Sequence, residues 1–112
     1  TIGLMVEMMF GPDAPSSLVA AAQADFLKTP PTVTHDDLSA CDKFDVTKSL
    51  GEIKLPAMIV CGSEDRMTPV KYGEFLISRI PDSRLAVIDR AGHMMALEQP
   101  SAFVRVIRDF IR

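Results

Sequence analysis

Apolar and polar positions change their spacing midway along this chain, and the change divides it in two. Before residue 50 the apolar residues come in runs that prolines interrupt. Ile2 to Phe10 forms one run, broken only by Glu7 and ended by Gly11-Pro12, and an Ala-rich run from Ser16 to Leu27 follows, stopped at Pro30-Pro31. Both predict helices, because the residues between the breakers are strong helix formers and proline cannot continue the ladder. Thr34-His35-Asp36-Asp37 then predicts a helix start, with Thr34 accepting from an orphan N–H and the two acids at the positive end of the dipole, leading into a short helix to about Asp42.

After Leu55-Pro56 the pattern is different. Ala57-Met58-Ile59-Val60-Cys61 is a five-residue apolar run closed by Gly62, the reading of a strand buried on both faces. Pro69 opens a segment in which Tyr72, Leu76, Ile77 and Ile80 form one helical stripe, ended by Pro81-Asp82-Ser83. Leu85 to Ile88 reads as a second strand. Ser101 to Arg112 reads as a last helix with Phe103, Val104, Ile107 and Ile111 on its stripe and Arg105, Arg108, Asp109 and Arg112 opposite. Strand, helix, strand and helix with short connections predict two parallel strands joined by a right-handed crossover. Residues 1–49 and 50–112 therefore read as different modules.

Composition narrows the classes of function. With 47% hydrophobic and 24% charged residues, the 112-residue chain is too apolar for disorder and large enough for one thin core. A net charge of -3 with no Lys/Arg cluster argues against nucleic acid as a partner. The longest apolar stretch falls well short of the roughly 20 residues that span a bilayer, so no membrane-spanning helix is expected. No basic segment followed by an apolar run marks a signal peptide, although the chain opens on Thr1 rather than Met and reads as a start within a longer protein. Cys41 and Cys61 form no CxxC pair and read as free thiols, which favours a cytoplasmic setting.

The candidate chemistry lies in two loops. In open α/β sheets functional groups gather beyond the carboxyl ends of parallel strands. Gly62 to Pro69 and Asp89 to Met94 both leave their strands at that edge, one bearing Asp65 and the other His93. Neighbouring strands lie about 4.8 Å apart, so the carboxylate and the imidazole are within reach of each other. A carboxylate that accepts from one ring nitrogen fixes the tautomer and leaves the other nitrogen free to take a proton from a nucleophile. Ser63 stands on the acid's own loop with no turn to aim it at His93 and is set aside as a nucleophile. His35, Asp36 and Asp37 read as helix-start residues rather than metal ligands, since no second His or Cys stands at ligand spacing. Met5, Met8 and Met9 read as an apolar packing or substrate-facing surface.

Ala57 to Pro69 (AMIVCGSEDRMTP) and Ala91 to Pro100 (AGHMMALEQP) resemble the acid-bearing and histidine-bearing loops of the α/β-hydrolase family, whose triad runs Ser, then Asp or Glu, then His. The resemblance implies that Asp65 is the triad acid and His93 the base, that Glu98 and Pro100 are structural, and that residues 1–49 are part of a helical cap. It is specific from about Leu50 to Arg112. It also implies a soluble hydrolase needing no cofactor, acting on a small molecule with an ester or related bond. The family's G-x-S-x-G elbow is missing, since no two of the six glycines stand four apart, and so is a His-Gly oxyanion motif. The expectation is therefore the C-terminal part of an α/β-hydrolase fold, inactive alone because it lacks the nucleophile. The alternative is a non-catalytic binding or interaction fragment that keeps the scaffold. The edge left open beside Ala57 to Cys61 predicts that the chain forms a homo-oligomer.

Overall fold

The computed structural model describes residues 2–112. Three helices come first: α1 (Ile2–Met9), α2 (Ser16–Lys28) and α3 (Pro31–Lys43). A 3₁₀ turn at Thr47–Glu52 leads into β1 (Ala57–Gly62), then α4 (Val70–Arg79), β2 (Ser83–Ile88), the one-turn α5 (Met95–Glu98) and α6 (Pro100–Ile111). β1 and β2 are parallel, in register from Ala57 opposite Ser83 to Gly62 opposite Ile88. The crossover unit and the parallel pair expected from the sequence are thus present, preceded by helices.

Several local expectations need correction. Thr34 does not cap α3: the helix begins three residues earlier, with Pro30 at the N-cap and Pro31 in its first turn, so Thr34, His35 and Asp36 lie in its interior. Pro31 suits that position because its missing N–H is one the first turn leaves unbonded anyway. Pro30 and Pro31 therefore separate α2 from α3 and start the second helix as well as stopping the first.

The packing faces match the expected stripe on α4 except at Tyr72 and depart from it on α6. Along α4 Leu76 and Ile77 are half-buried and Ile80, at its end, is buried, while Tyr72 is half exposed and Gly73 is buried on the same face. A Cβ on Gly73 would lie 2.6 Å from the Cys61 sulfur and 3.0 Å from Leu85 Cδ1, so the helix backbone lies directly on the sheet. On α6 the sheltered residues are Ala102, Phe103, Val106 and Phe110, and the row Val104, Ile107 and Ile111 faces out. That helix is apolar around more than half its circumference, and two strands offer room for only one of its rows. Arg84, on the opposite face of β2 from Leu85, stacks over the Phe110 ring at 5.7 Å, so α4 and α6 cover opposite faces of the pair. Neither cover is complete. Only Cys61 and Gly62 of β1 are buried, and Val87 of β2 stays 47% exposed, so the strand is not sealed on both faces.

The best-formed core lies in the first half of the chain. Val6, Met9 and Phe10 of α1 and its C-terminal end pack against Leu18, Val19, Ala22 and Phe26 of α2. These α2 positions follow the 3.6-residue period that places them on one stripe. Met94 completes the cluster from the far end of the sequence. The residue after His93 is thereby anchored in the core of the first two helices.

Candidate functional site

The loop after β1 and the loop after β2 are bonded to each other before any side chain chemistry is considered. The Ser63 N–H donates to the Ile88 carbonyl at 3.0 Å and the Glu64 N–H to the Ala91 carbonyl at 2.8 Å. Gly62 and Gly92 permit this closeness. A Cβ on Gly62 would strike the Ala91 and Gly92 carbonyls, and one on Gly92 would strike the backbone of Phe10 and Gly11. Arg90 turns the second loop with φ 57°, in the left-handed region, and its N–H donates to Ser63 Oγ at 2.8 Å. Ser63 thus spends its hydroxyl on loop geometry.

Further ties bind these loops to the first helices. The Gly11 N–H donates to Glu98 Oε1 at 2.6 Å, and the Gly92 N–H shares both Glu98 oxygens at 3.1 Å. Met94 N–H donates to the Met9 carbonyl at 3.2 Å. The Arg90 guanidinium grips Asp13 through both carboxylate oxygens, which holds the Asp13 carboxyl below its usual range, and Arg66 reaches the Glu7 carbonyl. His93 therefore stands on a loop fixed from three sides.

Within this frame Asp65 and His93 meet: His93 Nδ1 lies 3.0 Å from Asp65 Oδ2. Asp65 is buried, its side chain 2% exposed, whereas the His93 side chain is 35% exposed. Burial pushes the Asp65 carboxyl up, but the Thr68 N–H, the His93 ring and the Thr68 hydroxyl outweigh it and hold the group below the ordinary carboxylate range. Ionised Asp65 makes Nδ1–H the favoured tautomer, and Nε2 has no protein partner among the described residues. The arrangement is a buried anion orienting an accessible base.

One neighbour escaped the sequence reading. Thr68 donates its N–H to Asp65 Oδ1 at 2.9 Å and its hydroxyl to Asp65 Oδ2 at 3.0 Å, and that hydroxyl lies 3.2 Å from His93 Nδ1. The usable signal was an Asp followed three residues later by Thr, just before the Pro69 that opens α4, since Asp side chains commonly collect N–H groups two and three residues ahead. His35, Asp36 and Asp37 lie on α3 rather than on these loops. His35 and Asp36 form an exposed contact at 3.3 Å, and the described residues hold no group of three or more His, Cys, Asp or Glu suited to a metal. Cys41 is an exposed free thiol and Cys61 a buried one, the latter pushed up chiefly by burial and then by the Asp65 and Glu74 charges. No helix among the described residues is long and apolar enough to cross a membrane.

Two of the cavities are lined mainly by apolar side chains. One of about 520 Å³, lined by Met5, Met8, Leu38 and Met67 among others, opens between α1 and α3 beside the acid loop. The other, about 580 Å³, lies between Phe44 to Leu50 and α4 and shares no residue with the acid or histidine loops.

A parallel βαβ unit carrying a buried acid on one loop and a histidine on the next is the arrangement of an α/β-fold hydrolase. The sequence pattern of the alpha/beta hydrolase fold matches residues 2–100, and the chain belongs to that family. Among its relatives is the pimeloyl-[acyl-carrier protein] methyl ester esterase of Neisseria meningitidis serogroup A, 30% identical over 109 residues, covering 96% of this chain and 35% of the esterase. A thermophilic esterase of known structure superposes with a TM-score of 0.87 at 35% identity, over 98% of this chain and 44% of its own. An N-acyl homoserine lactone degrading enzyme does so at 0.85 and 27%, over 97% and 47%. The chain thus spans less than half the length of each of these proteins.

Proposed function

We propose that this chain is the acid-and-histidine portion of a serine-type hydrolase that cleaves ester or related acyl bonds. The observation that carries the reading is the 3.0 Å contact between buried Asp65 and accessible His93. In the intact protein His93 Nε2 takes the proton of a serine hydroxyl as that oxygen attacks the acyl carbon. The imidazolium, stabilised by Asp65, then passes the proton to the departing alcohol oxygen. Water repeats the sequence in reverse to release the acid. The serine and the oxyanion donors come from residues outside this chain, in keeping with the missing G-x-S-x-G and with relatives more than twice as long. The apolar cavity beside Met67 suits the acyl or alkyl chain of the ester, and the esterase relatives agree with that substrate class.

The test is turnover of activated acyl esters by the protein that contains this chain. Asp65→Asn, which favours the wrong tautomer, is expected to lower kcat by about 10⁴-fold, and His93→Ala, which removes the base, by at least about as much, with the protein still folded. The 112-residue chain alone is expected to show no serine-dependent turnover. Near-normal turnover in a folded His93→Ala protein, or stoichiometric labelling of a serine in the isolated chain by a serine-directed inhibitor, would overturn the reading.

A further inference from the structure

The contact between Asp65 and His93 is not a simple pair. Thr68 Oγ1, Asp65 Oδ2 and His93 Nδ1 stand 3.0, 3.2 and 3.0 Å from one another, a nearly equilateral triangle of three polar atoms. Thr68 also serves the second carboxylate oxygen: its backbone N–H, together with that of Met67, donates to Oδ1, each at 2.9 Å. Both Asp65 oxygens are therefore engaged by one residue, and the carboxylate plane is fixed.

Counting donors determines how the triangle is occupied. A hydroxyl offers one proton and two lone pairs, and an ionised carboxylate only accepts. With the Thr68 proton on Oδ2, the remaining Oγ1 lone pairs face His93 Nδ1. If Nδ1 carries a proton, that proton finds two acceptors and every group is satisfied. If Nδ1 carries a lone pair, it faces an anionic oxygen, and the Thr68 proton satisfies Asp65 or His93 but not both. We propose that Thr68 is a positioning residue of the acid–base pair, its hydroxyl bridging Asp65 and His93 so that the ring is held with Nδ1 protonated and Nε2 directed outward as the base. The bridge also occupies the outer side of the pair. Thr68 is exposed where Asp65 is buried, so its hydroxyl stands where water would otherwise compete for the Nδ1 proton.

The inference rests on the proposed hydrolytic reading for its purpose but not for its geometry, and the experiment separates the two. Thr68→Val keeps the shape and the backbone N–H to Oδ1 and removes only the hydroxyl, whereas Thr68→Ser keeps the hydroxyl. The chain has two histidines, and exposed His35 serves as an internal reference for imidazole ¹⁵N and ring N–H spectra of the full 112-residue chain. Loss of a hydrogen bond to a charged group corresponds to roughly tenfold or more in an equilibrium. Thr68→Val is accordingly expected to accelerate solvent exchange of the His93 Nδ1 proton, or raise the Nε2–H tautomer population, by roughly tenfold, with Thr68→Ser within about twofold of the parent. Thr68→Ala gives the same comparison should Thr68→Val fail to fold.

In the intact protein kcat is expected to fall about tenfold in Thr68→Val with KM little changed, and to recover in Thr68→Ser. Unchanged imidazole spectra in folded Thr68→Val or Thr68→Ala, or a Thr68→Ser variant as disturbed as Thr68→Val, would overturn the positioning role. Altered spectra with unaltered turnover, where His93→Ala has lost turnover, would overturn the positioning role in catalysis, whereas unaltered turnover in both Thr68→Val and His93→Ala would overturn the hydrolytic reading and leave the bridge standing.

Discussion

Asp65 shows how a few hydrogen bonds decide the state of a single residue. A carboxyl with a 2% exposed side chain is pushed toward its neutral form by burial, yet the Thr68 N–H, the His93 ring and the Thr68 hydroxyl hold it below the ordinary range. A group whose acidity is strengthened by folding stabilises the fold while it is ionised in both states. That contribution is complete above the unfolded value of about 3.9 and is lost as pH falls through the lower folded value. Asp65→Asn is therefore expected to lower unfolding stability by about 1–3 kcal/mol near neutral pH, with the gap to the parent closing below about pH 4. Urea unfolding at a series of pH values measures it, and a gap independent of pH would show that the ionised form contributes nothing. The residue's position at a loop end and its pairing with His93 were legible because parallel-strand loops share an edge. Thr68 was not, because a Thr before a Pro-opened helix looks the same whether its hydroxyl faces solvent or a carboxylate.

Among the elements, α6 is the one whose sequence pattern and packing diverge most, since Val104, Ile107 and Ile111 of its expected stripe face out. The α4 stripe shelters Leu76, Ile77 and Ile80 as expected, with Tyr72 exposed, but the helix approaches the sheet most closely through Gly73, which the stripe did not include. Hydrophobic spacing records side-chain volume and is blind to a contact made by the absence of one. The same blindness affected α6, where two apolar rows competed and periodicity alone did not tell which would meet β2. By contrast the strands, their parallel pairing and the order of elements followed directly from the apolar runs and their Pro and Gly boundaries, signals that depend on backbone chemistry. Gly73→Ala separates the two influences. Alanine gains about 1 kcal/mol in helix propensity, but its Cβ meets Cys61 Sγ at 2.6 Å and Leu85 Cδ1 at 3.0 Å. Overpacking of this kind costs about 1–3 kcal/mol, so the variant is expected to melt at a lower temperature than the parent, and Cys61→Ala in the same chain to recover part of the loss. A Gly73→Ala protein that melts higher would mean that α4 lifts from the sheet without penalty.

At the scale of the whole chain, the fold leaves many large apolar side chains exposed. The radius of gyration is 15.5 Å, against about 13 Å for a compact domain of this length. The sheet has two strands, so the outer edge of β1, the uncharged run Ala57-Met58-Ile59-Val60-Cys61, pairs with no strand among the described residues. Two-stranded sheets are marginal on their own, and an unpaired apolar edge templates pairing with another chain. Leu27, Phe44, Leu55 and Ile111 are each more than two-thirds exposed, and the outward row of α6 adds Val104 and Ile107. The acid and histidine loops are held by bonds to α1 and to the loop that follows it, but among the described residues nothing comparable braces the β1 edge. We propose that the 112-residue chain, taken alone, self-associates, most simply as a two-fold dimer that buries the β1 edge or the faces of the first helices. Light scattering across micromolar concentrations is expected to give a mass above the 12.3 kDa of one chain, rising with concentration. Replacing Ile59 with Lys, which puts a charge into the strand edge, is expected to shift the population toward monomer if that edge is the contact. A well-folded monomer at every concentration would show that the chain tolerates its open edge without a partner.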